Sequence, residues 1–386
     1  MTSSLFDGKV LLAPMVRVCG LGFRQMCLDH GADIVFSEEV VAAKLCKAHA
    51  EVVPYPTVGE VTDYVVYEPF KTGYKRAVVF STCASCPTII QLGVSDPAVG
   101  AAAALVCCEN VLGIDINMGC PKKFSVMNGF GAALMRDPVR AGHILRAIHL
   151  AVNRAELVHA RKDKRTIPIS FKTRLQRTAS ETVTMLGEIL AAAGHTASTP
   201  VVHAITLHAR EPDSRPDDAP LYTRAEEVVR LCRADERFQS ICFVLNGSLE
   251  SRADAMDKQK QFGFGAGMLA RAALVDPRVF SVSPAEGPLF DVMRDLLLYA
   301  LRYRNPFKNF KYHLTRAFPH HEELRPMMEK VQLQVKHYKD SITFFNITAS
   351  EVEGLNWEDN EAVVVDTVPD GVPSAPVVLK RGRVEE

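Results

Sequence analysis

The sequence predicts an α/β protein, a (β/α)8 TIM barrel with a C-terminal helical-bundle domain. Eight short apolar segments, each followed by a stretch with helical spacing, recur over about 270 residues, which is the count and length of such a barrel. Beyond Pro288 the pattern changes to long helical stretches with no strands between them, as in a small helical bundle. A doubly wound sheet is the alternative, because periodicity alone does not prove that the sheet closes.

The predicted strands are apolar on both faces, as buried parallel strands are. They lie at 10–13, 34–37, 88–91, 112–117, 167–172, 203–208, 241–246 and 265–270. The helices that follow them are predicted at 21–30, 38–50, 97–110, 137–154, 179–193, 223–235, 249–261 and 272–280. Residues 51–87 interrupt this alternation, and we expect a hairpin excursion there. Proline breaks divide the later helices into 289–304, 306–317 and 321–339.

These patterns predict a barrel domain at 1–285, a helical domain at 286–345 and a disordered tail at 346–386. The formal net charge is zero, so an anionic partner must be bound by local patches. No apolar run approaches the ~20 residues that span a bilayer, and no secretion signal is visible at the N-terminus. We therefore expect a cytoplasmic protein, with the nucleus as the alternative. The ten cysteines are scattered, so free thiols and no metal site are expected.

The segment around Cys120 is the strongest chemical signal in the chain. A buried strand ends in Gly119-Cys120-Pro121, which cannot continue a central strand, so a thiol is presented on a tight turn at the strand's carboxyl end. In barrels and doubly wound folds that edge carries the chemistry. A small buried cysteine beside an ordinary turn is the other interpretation.

Polar and cationic residues dominate the carboxyl ends of the predicted strands, a pattern that a packed core does not require but a site for a polar, anionic ligand does. These ends are Pro14-Met15-Val16, Gln91, Asn117 with Cys120, Lys172 with Arg174, His208 with Arg210, Asn246-Gly247 and Ala270-Arg271. The last two strands lead through Asn246-Gly247-Ser248 and Ala270-Arg271 into predicted helix starts, the usual phosphate site of a barrel. A phosphorylated cofactor with an oxidisable ring would then lie across the barrel mouth toward Lys172 and Gln91. There Lys172 would stabilise negative charge on a reduced flavin ring.

The predicted helical domain is locally basic, with nine Lys and Arg against three Glu between residues 302 and 339 and aromatic residues interleaved. This pattern is compatible with a surface that tracks phosphates or with a solvated face over an aromatic core. The basic segment 154–165 is open to the same two interpretations, RNA contact or solvated loop.

With these motifs in their order, residues 8–345 resemble the tRNA-dihydrouridine synthases, most closely the eukaryotic cytoplasmic type that reduces a D-loop uridine. The resemblance implies an FMN barrel, a helical tRNA-binding domain and NADPH as reductant. It implies Cys120 as the proton donor and Asn117, Arg174 and Arg210 as substrate-binding residues. The implied FMN contacts are Pro14, Met15, Val16, Gln91, Lys172, His208, Asn246, Gly247, Ser248, Ala270 and Arg271.

The chain departs from the family pattern at a few positions. Asn128-Gly129 stands where Gly-Gly is usual, Phe130 replaces Met, Ala209 replaces Gly and Ser248 is atypical. Two other functions stay open at this point. One is an FMN barrel that reduces a free pyrimidine or small enone, and the other is a non-enzymatic RNA-binding protein. The basic aromatic region argues against the first, and Cys120, Lys172 and His208 argue against the second.

Overall fold

The computed structural model describes residues 5–161, 163–215, 217–283, 286–318, 321–355, 364–365 and 367–368. The strands are β1 (Val10–Leu12), β2 (Ile34–Val41), β3 (His49–Tyr55), β4 (Gly59–Phe70), β5 (Gly73–Thr82), β6 (Thr88–Gly93), β7 (Gly113–Met118), β8 (Ile169–Arg174), β9 (Ala204–His208), β10 (Cys242–Asn246), β11 (Ala266–Leu269) and β12 (Val364–Val365).

The helices are α1 (Leu21–Asp29), α2 (Ala42–Leu45), α3 (Pro97–Cys107), α4 (Lys123–Met127), α5 (Pro138–Val152), α6 (Ala155–Ala160), α7 (Ala179–Ala193), α8 (Tyr222–Arg233), α9 (Arg252–Phe262), α10 (Arg271–Val275), α11 (Leu289–Arg302), α12 (Phe307–Ala317), α13 (Arg325–Gln334) and α14 (Tyr338–Phe344).

Eight parallel strands close into a barrel in the order β1, β2, β6, β7, β8, β9, β10, β11. Closure is made by β1, which pairs with β11 on one side (Leu12 opposite Leu269) and with β2 on the other (Leu11 opposite Ile34). The predicted barrel is therefore confirmed, and the doubly wound alternative is wrong. The strands are buried almost throughout, because parallel strands covered by helices have no solvent face.

The second strand differs from the sequence prediction. Residues 38–50 were expected to be helical, but β2 continues to Val41 and only the four-residue α2 follows. A break in register between Phe36 and Glu39 brings Glu39 opposite Gln91 of β6. The extension succeeds because pairing with β6 outweighs the helical preference of the Glu and Ala residues.

The excursion after β2 is larger than a hairpin. β3, β4 and β5 form an antiparallel meander, and Val364 and Val365 of β12 pair with Lys75 and Tyr74 at its edge. The guanidinium of Arg304 lies 4.4 Å above the Tyr55 ring, so this sheet also contacts the helical region.

Helix α11 packs tightly against α1 of the barrel. A Cβ atom added to Gly22 would lie 2.7 Å from the backbone oxygen of Tyr299, so only glycine permits this approach. The Tyr299 hydroxyl donates to the Asp29 carboxylate at 2.6 Å. In α12, buried His313 hydrogen-bonds the Leu274 carbonyl at 2.8 Å. The helical region is thus fastened to the barrel at several points.

The end of the helical region also differs from prediction. The expected helix over 321–339 is a 3-10 turn at Glu322–Leu324 followed by α13 and α14. Order continues past 345, where Ile347 is buried and Glu351 pairs with Arg294 at 2.6 Å. Most of the predicted disordered tail lies outside the described residues, and the domain division itself stays a prediction.

In the basic segment 154–165, two arginines bind within the protein, whereas Arg154 and Lys164 are exposed and keep the two interpretations, RNA contact or solvated loop. Arg161 is buried, and its guanidinium donates to the carbonyl of Val152 at 2.8 Å and to Glu109 at 3.1 Å. Arg165 donates to the carbonyls of Val111 and Leu112, just before β7 begins. Both arginines therefore satisfy backbone acceptors at the amino-terminal edge of the barrel, away from the strand ends discussed above.

Within the part of the chain described, no helix combines the length and apolar character needed to cross a bilayer. The same residues contain no group of three His, Cys, Asp or Glu side chains placed to hold a metal ion. All ten cysteines are free thiols, as predicted.

Candidate active site

The predicted site residues form a continuous arc at the carboxyl edge of the barrel. Strand register places them side by side with two residues that were not predicted, Glu39 and Asp115. The opposing pairs are Glu39 and Gln91, Gln91 and Asp115, Asn117 and Lys172, Arg174 and His208, and His208 and Asn246. Pro14, Met15 and Val16 follow β1, and Ala270 and Arg271 follow β11, so the arc reaches the closing pair of strands. The structure thus brings every predicted residue to one mouth, and their individual roles stay predictions.

The turn that carries Cys120 is fixed by its neighbours. The side-chain oxygen of Asn117 accepts the backbone N–H groups of Gly119 (3.1 Å) and Cys120 (3.0 Å). Arg174 donates from Nε to the Gly119 carbonyl at 2.9 Å and from Nη1 to the Glu211 carbonyl at 2.9 Å. Cys120 is half-buried. Its position is set by backbone hydrogen bonds rather than by its own side chain.

A buried polar chain supports Asn117 from below. Asn117 donates to the Gln91 amide oxygen at 3.1 Å, and Gln91 donates to the carboxyl of Asp115 at 2.8 Å. Ser170 donates to the other oxygen of Asp115 at 2.7 Å. Burial raises the pKa of Asp115 to about 6, and these two hydrogen bonds limit the rise. Asp115 was not among the predicted site residues, although it lies inside the same strand.

Lys172 of β8 has an unusual charge environment. Burial and the neighbouring guanidinium of Arg174 lower the pKa of Lys172 to about 7, while Asp115 and Cys120 oppose the shift. An anion placed beside this amine would restore its charge, because each charged form stabilises the other. The lysine is therefore matched to a ligand that is negative or becomes negative.

Two arginines converge at the far end of the arc. Arg210 and Arg271 each donate from Nη2 to the single hydroxyl of Ser248, at 3.0 and 2.8 Å. Burial and the charge of Arg271 lower the pKa of Arg210, while Asp217 and Asp218 oppose the shift. Two guanidinium groups directed at one small hydroxyl form a natural position for a phosphate. This geometry places Arg210, which was predicted to bind substrate, beside the predicted phosphate contacts.

The neighbouring groups shape this end of the site. His208 lies among Lys172, Arg174, Arg210 and Arg271, and burial together with these cations moves its pKa far below the usual range, so its imidazole is neutral. Gly247 adopts a φ of 128°, and a Cβ atom there would approach the His208 ring to 3.3 Å. Asn246 turns inward and donates to the Met268 carbonyl at 2.8 Å.

The helix start predicted for the phosphate is weaker than expected. Helix α10 has only five residues, so its dipole is small, and the side chains of Arg210 and Arg271 provide the positive charge instead.

The family departures are accommodated locally. Gly129 carries the positive φ of 79°, whereas Asn128 has an ordinary φ of −89°, so the turn does not need the glycine that Asn128 replaces. Phe130 is buried, and a Cβ atom on Gly93 would lie 2.9 Å from its ring.

Sequence reasoning missed two residues beside Cys120. The hydroxyl of Ser125, in α4, lies 3.4 Å from the Cys120 sulfur and 3.4 Å from the Glu39 carboxylate. Glu39 was assigned to a helix because β2 was predicted to end at residue 37. The available signal was a pair of glutamates directly after a β-branched apolar run, at the carboxyl end of a barrel strand.

Comparison with known proteins gives the same picture. The family model described as dihydrouridine synthase (Dus) matches residues 11–353. The NAD(P)+ tRNA-dihydrouridine(20) synthase of Saccharomyces cerevisiae is 34% identical over 325 residues, which cover 81% of this chain and 78% of that protein. The protein of the same name from Schizosaccharomyces pombe is 30% identical over 346 residues, covering 89% of this chain and 66% of that one.

A more distant relative is the tRNA-dihydrouridine(20a/20b) synthase-like protein of Homo sapiens, 25% identical over 320 residues, which cover 83% of this chain and 81% of that protein. The family match spans the barrel and the helical region together, and it includes every predicted site residue. This chain belongs to the dihydrouridine synthase family.

Proposed function

We propose that this protein reduces a D-loop uridine of tRNA to 5,6-dihydrouridine, with FMN as bound cofactor and NADPH as reductant. The observation that carries the proposal is the Cys120 turn, which Asn117 and Arg174 hold at the cationic carboxyl edge of the barrel. The match of residues 11–353 to the dihydrouridine synthase model and the names of the relatives support it.

The residues present fit a flavin mononucleotide. Arg210 and Arg271, which meet at Ser248, would hold the phosphate. Lys172 would lie beside the ring, where an amine with a pKa near 7 gains its charge as negative charge develops. Gln91 and the rim residues Pro14, Met15 and Val16 would border the other side. Bound flavin, once reduced, would supply a hydride to C6 of the uracil.

The chain's own task is to complete the reduction with a proton. Cys120 donates its proton to C5, where negative charge accumulates after hydride arrival. Asn117 can offer the base only its second N–H, because the first donates to Gln91 and its oxygen accepts two backbone N–H groups. Arg174 retains Nη2 for the base, since Nε and Nη1 donate to carbonyls. The base must leave its stack to reach these groups.

The helical region would bind the RNA backbone. Its exposed cations are Lys308, Arg316, Arg325, Lys330, Lys336 and Lys339. Near the barrel mouth, Arg17 and Arg316 both lie over the ring of Tyr312, at 5.5 and 5.6 Å. This surface favours a polyanionic substrate over a free pyrimidine or small enone. A small molecule bound in the barrel mouth would make no contact with these cations.

The test is direct. The purified protein should show a flavin spectrum, and with NADPH it should form dihydrouridine in the D-loop of an unmodified tRNA transcript. Mapping the product by mass spectrometry identifies the position. Flavin present with turnover of a free pyrimidine but none of tRNA would favour the small-molecule reductase. Absence of flavin, with tRNA binding intact, would favour the RNA-binding protein.

A further inference from the structure

We propose that Glu39 and Ser125 form a proton relay that returns a proton to Cys120 after each turnover. The inference rests on the proposed function, since it concerns the step after Cys120 has donated its proton to the base. Neither residue touches the base in this scheme; both act through the thiol.

The geometry is a short line of three polar groups. The Ser125 hydroxyl lies at 3.4 Å from both the Cys120 sulfur and Oε2 of Glu39. A hydroxyl has one proton and two lone pairs, so it can donate to only one of these neighbours while accepting from the other. Its two neighbours therefore fix its direction. It donates to the carboxylate when the thiol is protonated, and it donates to the sulfur when the thiolate has formed.

The backbone holds Cys120 and Ser125 side by side. The Cys120 carbonyl accepts the N–H of Ala132 at 2.9 Å, and the Ser125 carbonyl accepts the N–H of Phe130 at 3.1 Å. Gly131, with a φ of 63°, lies between them. A Cβ atom there would lie 3.1 Å from the Cβ atoms of both Cys120 and Ser125, so any larger residue would separate them.

Glu39 is placed at the end of this line by the extended β2. Its Oε1 lies where a Cβ atom on Gly93 would be 2.9 Å away, and the Phe130 ring approaches the same point. This apolar cover and general burial raise the pKa of Glu39 to about 6, while the hydrogen bond from Ser125 and the charge of Lys122 lower it. A carboxyl group in this range can give and regain a proton near neutral pH.

The transfer balances without another reagent. Cys120 begins the step as a thiolate, because its proton has moved to C5 of the uracil. The Ser125 O–H bond breaks as the S–H bond forms, and the carboxylic acid of Glu39 gives its proton to the serine oxygen. The result is a neutral thiol, a neutral hydroxyl and a Glu39 carboxylate, which regains a proton from water. No electrons change hands.

The relay separates first turnover from later ones. A resting enzyme already holds the Cys120 proton, so a single turnover should not need Glu39, whereas continued turnover should. Prereduced enzyme is mixed with tRNA without oxygen, and flavin reoxidation gives the single-turnover rate. Dihydrouridine formation with excess NADPH and tRNA gives the steady-state rate.

We expect Glu39→Gln and Ser125→Ala to keep single-turnover rates within about twofold of wild type. Their steady-state rates should fall about tenfold, which is the size of a modest acid–base contribution. The two variants interrupt the line at different links, so a folding defect in one leaves the other informative. Glu38→Gln is the matched control, because Glu38 is the neighbouring half-buried glutamate but accepts the backbone N–H of Arg17 instead. Its ratio of steady-state to single-turnover rate should equal that of wild type.

Two further measurements distinguish a relay from a structural role. Formate should restore the steady-state rate of Glu39→Ala but not of Ser125→Ala, because a small acid can replace the carboxyl only if the hydroxyl remains. In flavin-free protein, iodoacetamide should alkylate Cys120 faster in Glu39→Gln than in wild type at the same pH, since a negative charge near the thiolate has been removed.

The proposal is overturned if the single-turnover and steady-state rates fall together, if neither falls, or if the alkylation rate is unchanged. Failure of the proposed function would look different, because wild-type protein would then form no dihydrouridine in tRNA at all.

Discussion

Arginine side chains gather at both ends of the barrel, and their surroundings differ. At the amino-terminal edge, Arg161 and Arg165 donate to backbone carbonyls, and Arg161 also pairs with Glu109. At the mouth, Arg210 and Arg271 share one serine hydroxyl, and burial together with the charge of Arg271 lowers the pKa of Arg210. Cations directed at protein acceptors stabilise the fold. The pair at the mouth, which converges on one hydroxyl, is a candidate site for an anion.

A comparison of one thiol from each end, Cys120 and Cys108, gives the largest expected effect. Cys120→Ala should retain flavin and its reduction by NADPH, yet slow base reduction by about 10²–10⁴, the range of a general acid. Cys120→Ser should lie close to Ala, because a hydroxyl is a much weaker acid. Rapid mixing separates the two half-reactions.

Cys108→Ala is the control at the opposite edge, where the sulfur lies 3.7 Å from the Arg161 guanidinium. It should reduce the base at the wild-type rate. Wild-type rates for Cys120→Ala would mean that Cys120 is structural and that the proton comes from elsewhere.

The next effect is a paired charge test. Arg271→Glu should lose flavin during purification and keep the melting temperature of flavin-free wild type, because a carboxylate at that position repels a phosphate. Arg165→Gln should do the reverse. It should keep its flavin and lose about 1–3 kcal/mol of unfolding free energy, since two partly buried carbonyls lose a charged donor.

Flavin content by absorbance and unfolding by denaturant check both variants. If the two arginines gave the same phenotype, the contrast between the ends would be wrong.

Lys172 sharpens the comparison through pH. Its pKa of about 7 in the flavin-free site should rise when flavin binds, because an acceptor beside the amine favours the charged form. Binding then takes up a proton, so flavin affinity should fall as pH rises from about 7, by up to about tenfold per unit. Lys172→Met should bind flavin more weakly and without this slope. Fluorescence titration at several pH values measures it, and an equal slope in both proteins would remove Lys172 from the flavin site.

The smallest effect concerns the helical region, where the same distinction applies between engaged and exposed cations. Replacing Lys308 and Arg316 by Gln should weaken tRNA binding and lower the salt slope by about one unit per lost phosphate contact. Lys311→Gln is the matched control, because its ammonium donates to the carbonyls of Gln332 and Val335. Binding across a salt series tests both, and equal losses would show that exposure does not select the phosphate contacts.

The barrel and its mouth could be predicted because the evidence is local. Apolar, β-branched runs identify the strands, and the residue that follows each run lies at one edge whenever the strands are parallel. This reasoning alone was enough to place Gln91, Lys172 and His208 in the predicted site. The helix over 179–193 has the predicted bounds, and in the structure Thr178 and Glu181 form a capping box at its start.

The remaining features depend on neighbours that the sequence does not identify. Residues 38–41 contain two glutamates, which suit a helix, and only pairing with β6 makes them a strand. This error removed Glu39 from the predicted site. Arg161 and Lys311 look the same in sequence as exposed cations. The carbonyl partner of Arg161 lies across the junction of α5 and α6, and that of Lys311 lies far along the chain. In these regions the hydrogen-bond partners of a residue, rather than its type, determine its structure and its exposure.

The close contact between Gly22 and the backbone of Tyr299 has a consequence for substrate choice. It packs α11 directly against the first helix of the barrel, so this contact helps to set where the exposed cations lie relative to Cys120. In the proposed tRNA complex, that separation would set the distance along the folded RNA between the bound backbone and the nucleotide that reaches the mouth. We therefore expect that a change in which uridine is modified would require shifting the α1–α11 contact, while the residues of the mouth stay the same.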